Sequence, residues 1–177
     1  MFVNIFDTET DGLITTLAAK PDRLPQILSL HYNIVNLQTG TSMKSESFLF
    51  KPSKPISEEM TKIHGITNEM VKDAPPFRDC AGILEQEFST IPRCIAHNAK
   101  FDCDMLNIEM MRCDRAIKWG RITCTVEQTI WLEGYRLSLT NLHKYLFNQD
   151  FDEKHSAAGD VAALTKCCIE LFKRGWL

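Results

Sequence analysis

Apolar residues follow two rhythms along this chain of 177 residues. Val3 to Phe6 is short and apolar and is followed by Thr-Glu-Thr-Asp-Gly, so it reads as a strand running into a loop at Gly12. Residues 13–25 hold two prolines and read as a loop. Ile27 to Asn36 and Glu46 to Phe50 read as two further strands. The turn formers Thr39-Gly40-Thr41-Ser42 between them predict a hairpin, and the first three strands a meander. The rhythm then becomes helical. Ser57-Glu-Glu-Met has an N-cap residue and acidic first-turn residues. Phe77, Ala81, Leu84 and Phe88 form one stripe, and Phe101, Met105, Ile108 and Met111 another. Arg93 to Ala96 and Ile122 to Val126 read as strands four and five. Thr140 to Phe147 and Ser156 to Lys173 read as helices, the last closed by Gly175. A meander followed by alternating helix and strand predicts an α/β domain with a mixed central sheet flanked by helices.

Composition narrows this picture without changing it. The length suits a single domain spanning residues 1–177 with a sizeable core. A hydrophobic fraction of 44% and a charged fraction of 24% exclude disorder and collagen-like repeats. No run approaches the roughly 18–20 apolar residues of a membrane span, and no secretory signal is visible at the N-terminus. Seven cysteines without a Cys-x-x-Cys pair argue against a zinc cage or a disulfide framework. They suit reduced core residues in a reducing cytoplasm. The net charge of −3 argues against coating nucleic acid by bulk electrostatics, but not against holding a strand end.

Three segments carry the candidate chemistry. Asp7 and Glu9 sit in FDTET; two apart on a strand, they point to one face. Asp102 closes HNAKFD, about 100° round a helix from Phe101. His155 and Asp160 bracket HSAAGD, where Ser156 is a candidate N-cap and small residues permit close approach. Each segment alone has an ordinary reading: an acidic turn, a dipole-paired carboxylate, a loop histidine. Brought together, four carboxylates repel unless protonated or bound to cations. The cluster then calls for hard divalent ions, Mg²⁺ or Mn²⁺. Two such ions suit in-line displacement at phosphorus, and a neutral histidine can take the proton of the attacking water.

These segments resemble the three motifs of the DEDDh 3′–5′ exonuclease family, with a pattern similar to the exonuclease domain of bacterial polymerase III epsilon subunits. Asp7 and Glu9 match the first motif, Asp102 the second, and His155 with Asp160 the third. Met60-Thr-Lys-Ile-His64-Gly65-Ile66-Thr67 resembles the family's helix and turn before the second motif. The resemblance runs from residue 4 to about 164. It implies a ribonuclease H-like fold with a mixed five-stranded sheet. It implies two metals held by Asp7, Glu9, Asp102 and Asp160, with His155 as general base. The backbone of Thr10, Gly12 and Leu13, with His64 and Ile66, is implied to hold the terminal nucleotide, while Asn98 and Phe101 shape the site. The implied partner is a nucleic-acid 3′ end, single-stranded DNA or RNA.

Two departures stand out: Asp11 where Thr or Ser is usual, facing solvent or modulating metal or phosphate binding, and Cys124 where an aspartate is frequent. The chain also stops after its last helix, so a freestanding exonuclease is expected rather than a tethered proofreader, with no segment for holding a polymerase. RNA trimming and a silent binding domain are the competing readings. Trp119, Trp131 and Trp176 are expected to pack rather than stack bases.

Overall fold

In the computed structural model, residues 1–15, 20–151 and 156–177 are described. Strands β1 (Phe2–Thr10), β2 (Ile27–Asn36), β3 (Thr41–Leu49), β4 (Arg93–Ala96) and β5 (Arg121–Cys124) form one sheet in the order β3-β2-β1-β4-β5. The pairs β1–β2 and β2–β3 are antiparallel, which makes the expected meander, while β1–β4 and β4–β5 are parallel. The helices are α1 (Glu58–His64), α2 (Asn68–Val71), α3 (Phe77–Thr90), α4 (Ala99–Met111), α5 (Thr125–Glu133), α6 (Leu139–Phe147) and α7 (Ala157–Lys173). None of the described helices is long and apolar enough to cross a membrane.

The alternation along β1 decides where the site lies. Val3 and Ile5 point to the face covered by α7, where they meet Val161, Leu164 and Cys168. Phe6 points to the opposite face, among Leu84, Phe88, Met105 and Leu106 of α3 and α4. Continuing the same period puts Asp7 and Glu9 on the α7 face and Thr8 on the α4 face. The antiparallel backbone ladder with β2 holds whatever the side chains are, so β1 runs on to Thr10, four residues past the apolar stretch.

Several elements differ from the sequence expectation. β3 begins at Thr41, because the hairpin turn is tight and its strand is exposed and polar. Ile122 to Val126 is not one strand: β5 ends at Cys124, paired with Ala96, the last residue of β4. With no partner strand left, Thr125 turns its hydroxyl back to the Ala96 carbonyl (3.3 Å) and opens α5. Met111 lies 61% exposed at the end of α4, outside the stripe assigned to it. Trp119 packs on the core and donates to Asn107 Oδ1 (2.9 Å), and Trp131 and Trp176 meet edge to face. All seven cysteines are free thiols.

Gly120 makes a close approach that only glycine permits. A Cβ there would lie 2.4 Å from the Pro92 carbonyl oxygen and 2.7 Å from its carbon, both backbone atoms. Arg121 N–H donates to that same oxygen (2.9 Å), which fixes the entry of β5. Gly120→Ala is therefore expected to cost about 1–3 kcal/mol, or roughly 2–4 °C of Tm per kcal/mol. Thermal melts check this; an unchanged Tm would refute the close contact.

Candidate functional site

Asp7, Glu9 and Asp160 each direct a carboxylate oxygen to one point, all within 4.8 Å of one another. Two come from the C-terminal half of β1. The third comes from the first turn of α7, whose start is fixed by Ser156 accepting from Gly159 N–H (3.1 Å). A first-turn carboxylate also gains from the helix dipole. The small residues Ala157 and Gly159 are buried and let α7 lie close against β1.

Asp102 stands beside this trio on the first turn of α4, buried at 3% exposure. Its Oδ1 accepts from both Thr8 N–H (3.0 Å) and Thr8 Oγ1 (2.8 Å). Thr8 was not singled out by sequence reasoning. Its place between Asp7 and Glu9 on the opposite face of β1 was the available signal, since that face meets α4. The protein thus grips one oxygen of Asp102 and leaves the carboxylate oriented.

The cluster is under electrostatic load. Burial, then Asp102, Glu9 and Asp160, hold the Asp7 carboxyl well above the usual carboxylate range. Burial, then Asp160 and Asp102, push Glu9 up to about 7. Asp102 is pushed up to about 7 by burial, against the stabilising hydrogen bonds from Thr8. Like charges gathered in a partly dry place favour protons or cations. An all-oxygen donor set fits a hard divalent ion such as Mg²⁺ or Mn²⁺.

His155 lies outside the described residues. The other expected contacts fall around the cluster unevenly. Thr10 donates its hydroxyl to the Gly12 carbonyl (2.7 Å), and Leu13 beyond it is 73% exposed. His64 is a buried residue in the last turn of α1, capped by left-handed Gly65. Its Nδ1 accepts from Ile66 N–H (3.0 Å), so the ring proton belongs on Nε2, and burial lowers its pKa. The Ile66 side chain packs with Leu28, Ile56 and Val71, and its carbonyl accepts from Thr61 Oγ1 (2.9 Å). Asn98 is exposed, in the left-handed region (φ 73°), and accepts from Arg136 (3.2 Å). Phe101 packs against the main core. His97, within HNAKFD, bridges Thr125 Oγ1 (2.9 Å) and the Leu137 carbonyl (3.0 Å), tying β4 to α5; burial lowers it to about 4.

Asp11 has a definite partner. Its N–H donates to the Gln26 carbonyl (3.0 Å), and its Oδ1 accepts from Gln26 N–H (2.6 Å). The carboxylate clips the loop after β1 to the start of β2.

Comparison with known proteins agrees with this geometry. The family model Exonuclease (RNase_T) matches residues 5–168. The DNA polymerase III subunit epsilon of Rickettsia prowazekii (strain Madrid E) is 31% identical over 175 residues, covering 94% of this chain and 72% of that protein. The DNA polymerase III subunit epsilon-like protein of Rhodobacter capsulatus is 30% identical over 177 residues, and the chain spans only 23% of its length. Among solved structures, exonuclease X in complex with 5′ overhanging duplex DNA matches with a TM-score of 0.70 and 25% identity, covering 99% of this chain and 94% of that one. A zinc-bound E. coli ExoI–ssDNA complex matches in fold alone, with a TM-score of 0.79 and 16% identity over 98% of this chain and 41% of that one.

Proposed function

The chain belongs to the Exonuclease family, RNase_T, and is a 3′–5′ exonuclease; from that premise we propose that it removes nucleoside 5′-monophosphates from single-stranded DNA with two divalent metal ions. One observation carries the reading. Three carboxylates converge within 4.8 Å, two on strand positions that continue the core face of β1 and one on the first turn of α7.

In this reading Asp7, Glu9, Asp102 and Asp160 hold Mg²⁺ or Mn²⁺. When bound, such ions stabilise the attacking and leaving oxygens of displacement at phosphorus. The rest is done by the chain itself. Thr8 fixes the Asp102 carboxylate, and Ser156 fixes the turn that presents Asp160. His155, five positions before Asp160, accepts the proton of the attacking water on a neutral imidazole nitrogen. The backbone of Thr10 to Leu13, clipped by Asp11, and the His64–Ile66 turn receive the terminal nucleotide. A DNA polymerase is the partner that the relatives' names suggest.

The test uses 5′-labelled 20-mers of DNA and RNA with Mg²⁺, Mn²⁺ or EDTA. The expected result is a ladder shortening from the 3′ end, faster on DNA and abolished by EDTA. A faster RNA ladder would move the substrate to RNA. Persistence of cleavage in EDTA would refute the metal reading.

A further inference from the structure

A groove beside the acidic cluster carries charge of the opposite sign. A cavity of about 720 Å³ opens at Gly12 and Leu13, directly after β1, and is bordered by Arg23, Lys54 and Arg78. Two adjoining cavities of about 350 and 270 Å³ continue it past Lys51, and all three share Ser53. Arg23, Lys51, Lys54 and Arg78 are exposed, and among the described residues none of them has a carboxylate partner. The acids nearby are mostly occupied. Asp11 is bonded to Gln26, and Glu109 accepts from Ile27 N–H (3.0 Å) and pairs with Arg112 (2.8 Å). Asp22 alone faces the first cavity without such a partner.

The groove has a built floor. Arg112 donates to the carbonyls of Pro21, Leu24 and Pro25 at 2.5–3.1 Å, which fastens the loop before β2 to the end of α4. Gln26 Oε1 accepts from both Ser53 N–H and Ser53 Oγ at 2.7 Å, which joins the two sides. The cations are therefore mounted on walls whose backbone is fixed.

In a chain of net charge −3, four unpaired cations along one groove need a reason. They border three adjoining cavities rather than one small pocket, which suits successive phosphates better than a single small anion. The adjacent carboxylates repel a polyanion, so cations just beyond them would hold a strand that the cluster alone pushes away. We propose that this groove binds the phosphate backbone of the nucleic acid whose 3′ end enters the acidic cluster. The proposal rests on the exonuclease reading. The phosphates belong either to the substrate strand or to its complement in a duplex.

The test is the triple variant Arg23→Gln/Lys54→Gln/Arg78→Gln. Binding of labelled 20-mers, single-stranded and as a duplex with a recessed 3′ end, is measured by anisotropy in Ca²⁺ over a range of salt. Hydrolysis of a dinucleotide, too short to reach the groove, is measured in Mn²⁺. Expected are at least tenfold weaker binding and a log–log salt slope shallower by about 2, since each single-strand phosphate contact contributes about 0.7. Dinucleotide hydrolysis stays at the wild-type level. Weakening on both substrates assigns the groove to the substrate strand, and weakening on the duplex alone assigns it to the complement. Unchanged binding and slope on both overturn the proposal, as does wild-type protein that binds no oligonucleotide. Wild-type protein that binds but never cuts rejects the exonuclease reading, while the variant still decides the groove.

Discussion

Asp7→Asn protein is expected to lose at least three orders of magnitude in hydrolysis and yet to melt higher than wild type in EDTA at pH 8. Both effects come from one charge. As a carboxylate, Asp7 lies within reach of Glu9 and Asp160, and its own titration is raised by Asp102, Glu9 and Asp160 in addition to burial. Without metal, that repulsion opposes folding. An amide of nearly the same shape removes it and can donate to the remaining carboxylates. With metal, the same substitution removes a ligand. A loss of several kcal/mol of transition-state stabilisation is three or more factors of ten in rate. Rates on a labelled 20-mer and melts in EDTA are the two readouts. Asp7→Asn protein that melts lower and cuts normally would show that Asp7 is an ordinary structural carboxylate.

The same tension explains what the sequence could show. Asp7 and Glu9 were legible as a pair because strand periodicity puts alternate residues on one face. Their meeting with Asp160 was legible only through the motif, because sequence alone does not say which helix lies over which face. The structure supplies the reason: β1 is central, and α7 crosses the face that Val3 and Ile5 begin. The β1 boundary was read four residues short because polar side chains ended the apolar run, whereas the backbone ladder with β2 continues to Thr10. Thr125 was misread for the complementary reason. Its neighbours are apolar enough for a strand, but β4 ends at Ala96 and leaves them no ladder. Thr8 escaped notice, and Asp11 was noticed without its partner, because their roles depend on hydrogen bonds across 94 and 15 positions of sequence. The groove was illegible because Arg23, Lys51, Lys54 and Arg78 are dispersed along the chain and converge only when α4 fastens the loop before β2.

Metal-free wild-type protein is expected to lose stability between pH 6.5 and pH 8.0, and added Mn²⁺ to restore more at the upper pH than at the lower. Glu9 and Asp102 have folded-state values near 7, above the usual carboxylate range, and Asp7 is raised as well. A group raised on folding favours the folded state below its unfolded value, and that contribution fades as pH rises through the folded value. Each group near 7 loses about 1 kcal/mol across this window. The two together account for a loss of about 2 kcal/mol, and Asp7 acts in the same direction. Two other effects act in or next to this window. His31, His64 and His97 are lowered on folding, so stability grows with pH until their unfolded imidazoles, near about 6.5, have lost their protons; this rise offsets part of the fall and does not depend on the metal. Buried thiols such as Cys94 and Cys167, held up to about 12, pull downward chiefly above pH 8. The metal increment separates the carboxylates from both, because a cation competes only with the protons on its own ligands. At a concentration of 100 times Kd, Mn²⁺ adds about 2.7 kcal/mol where the ligands are ionised and less where they hold protons. Melts in EDTA and in Mn²⁺ at the two pH values decide the matter. A metal increment equal at both would mean that the ion binds somewhere other than Asp7, Glu9, Asp102 and Asp160.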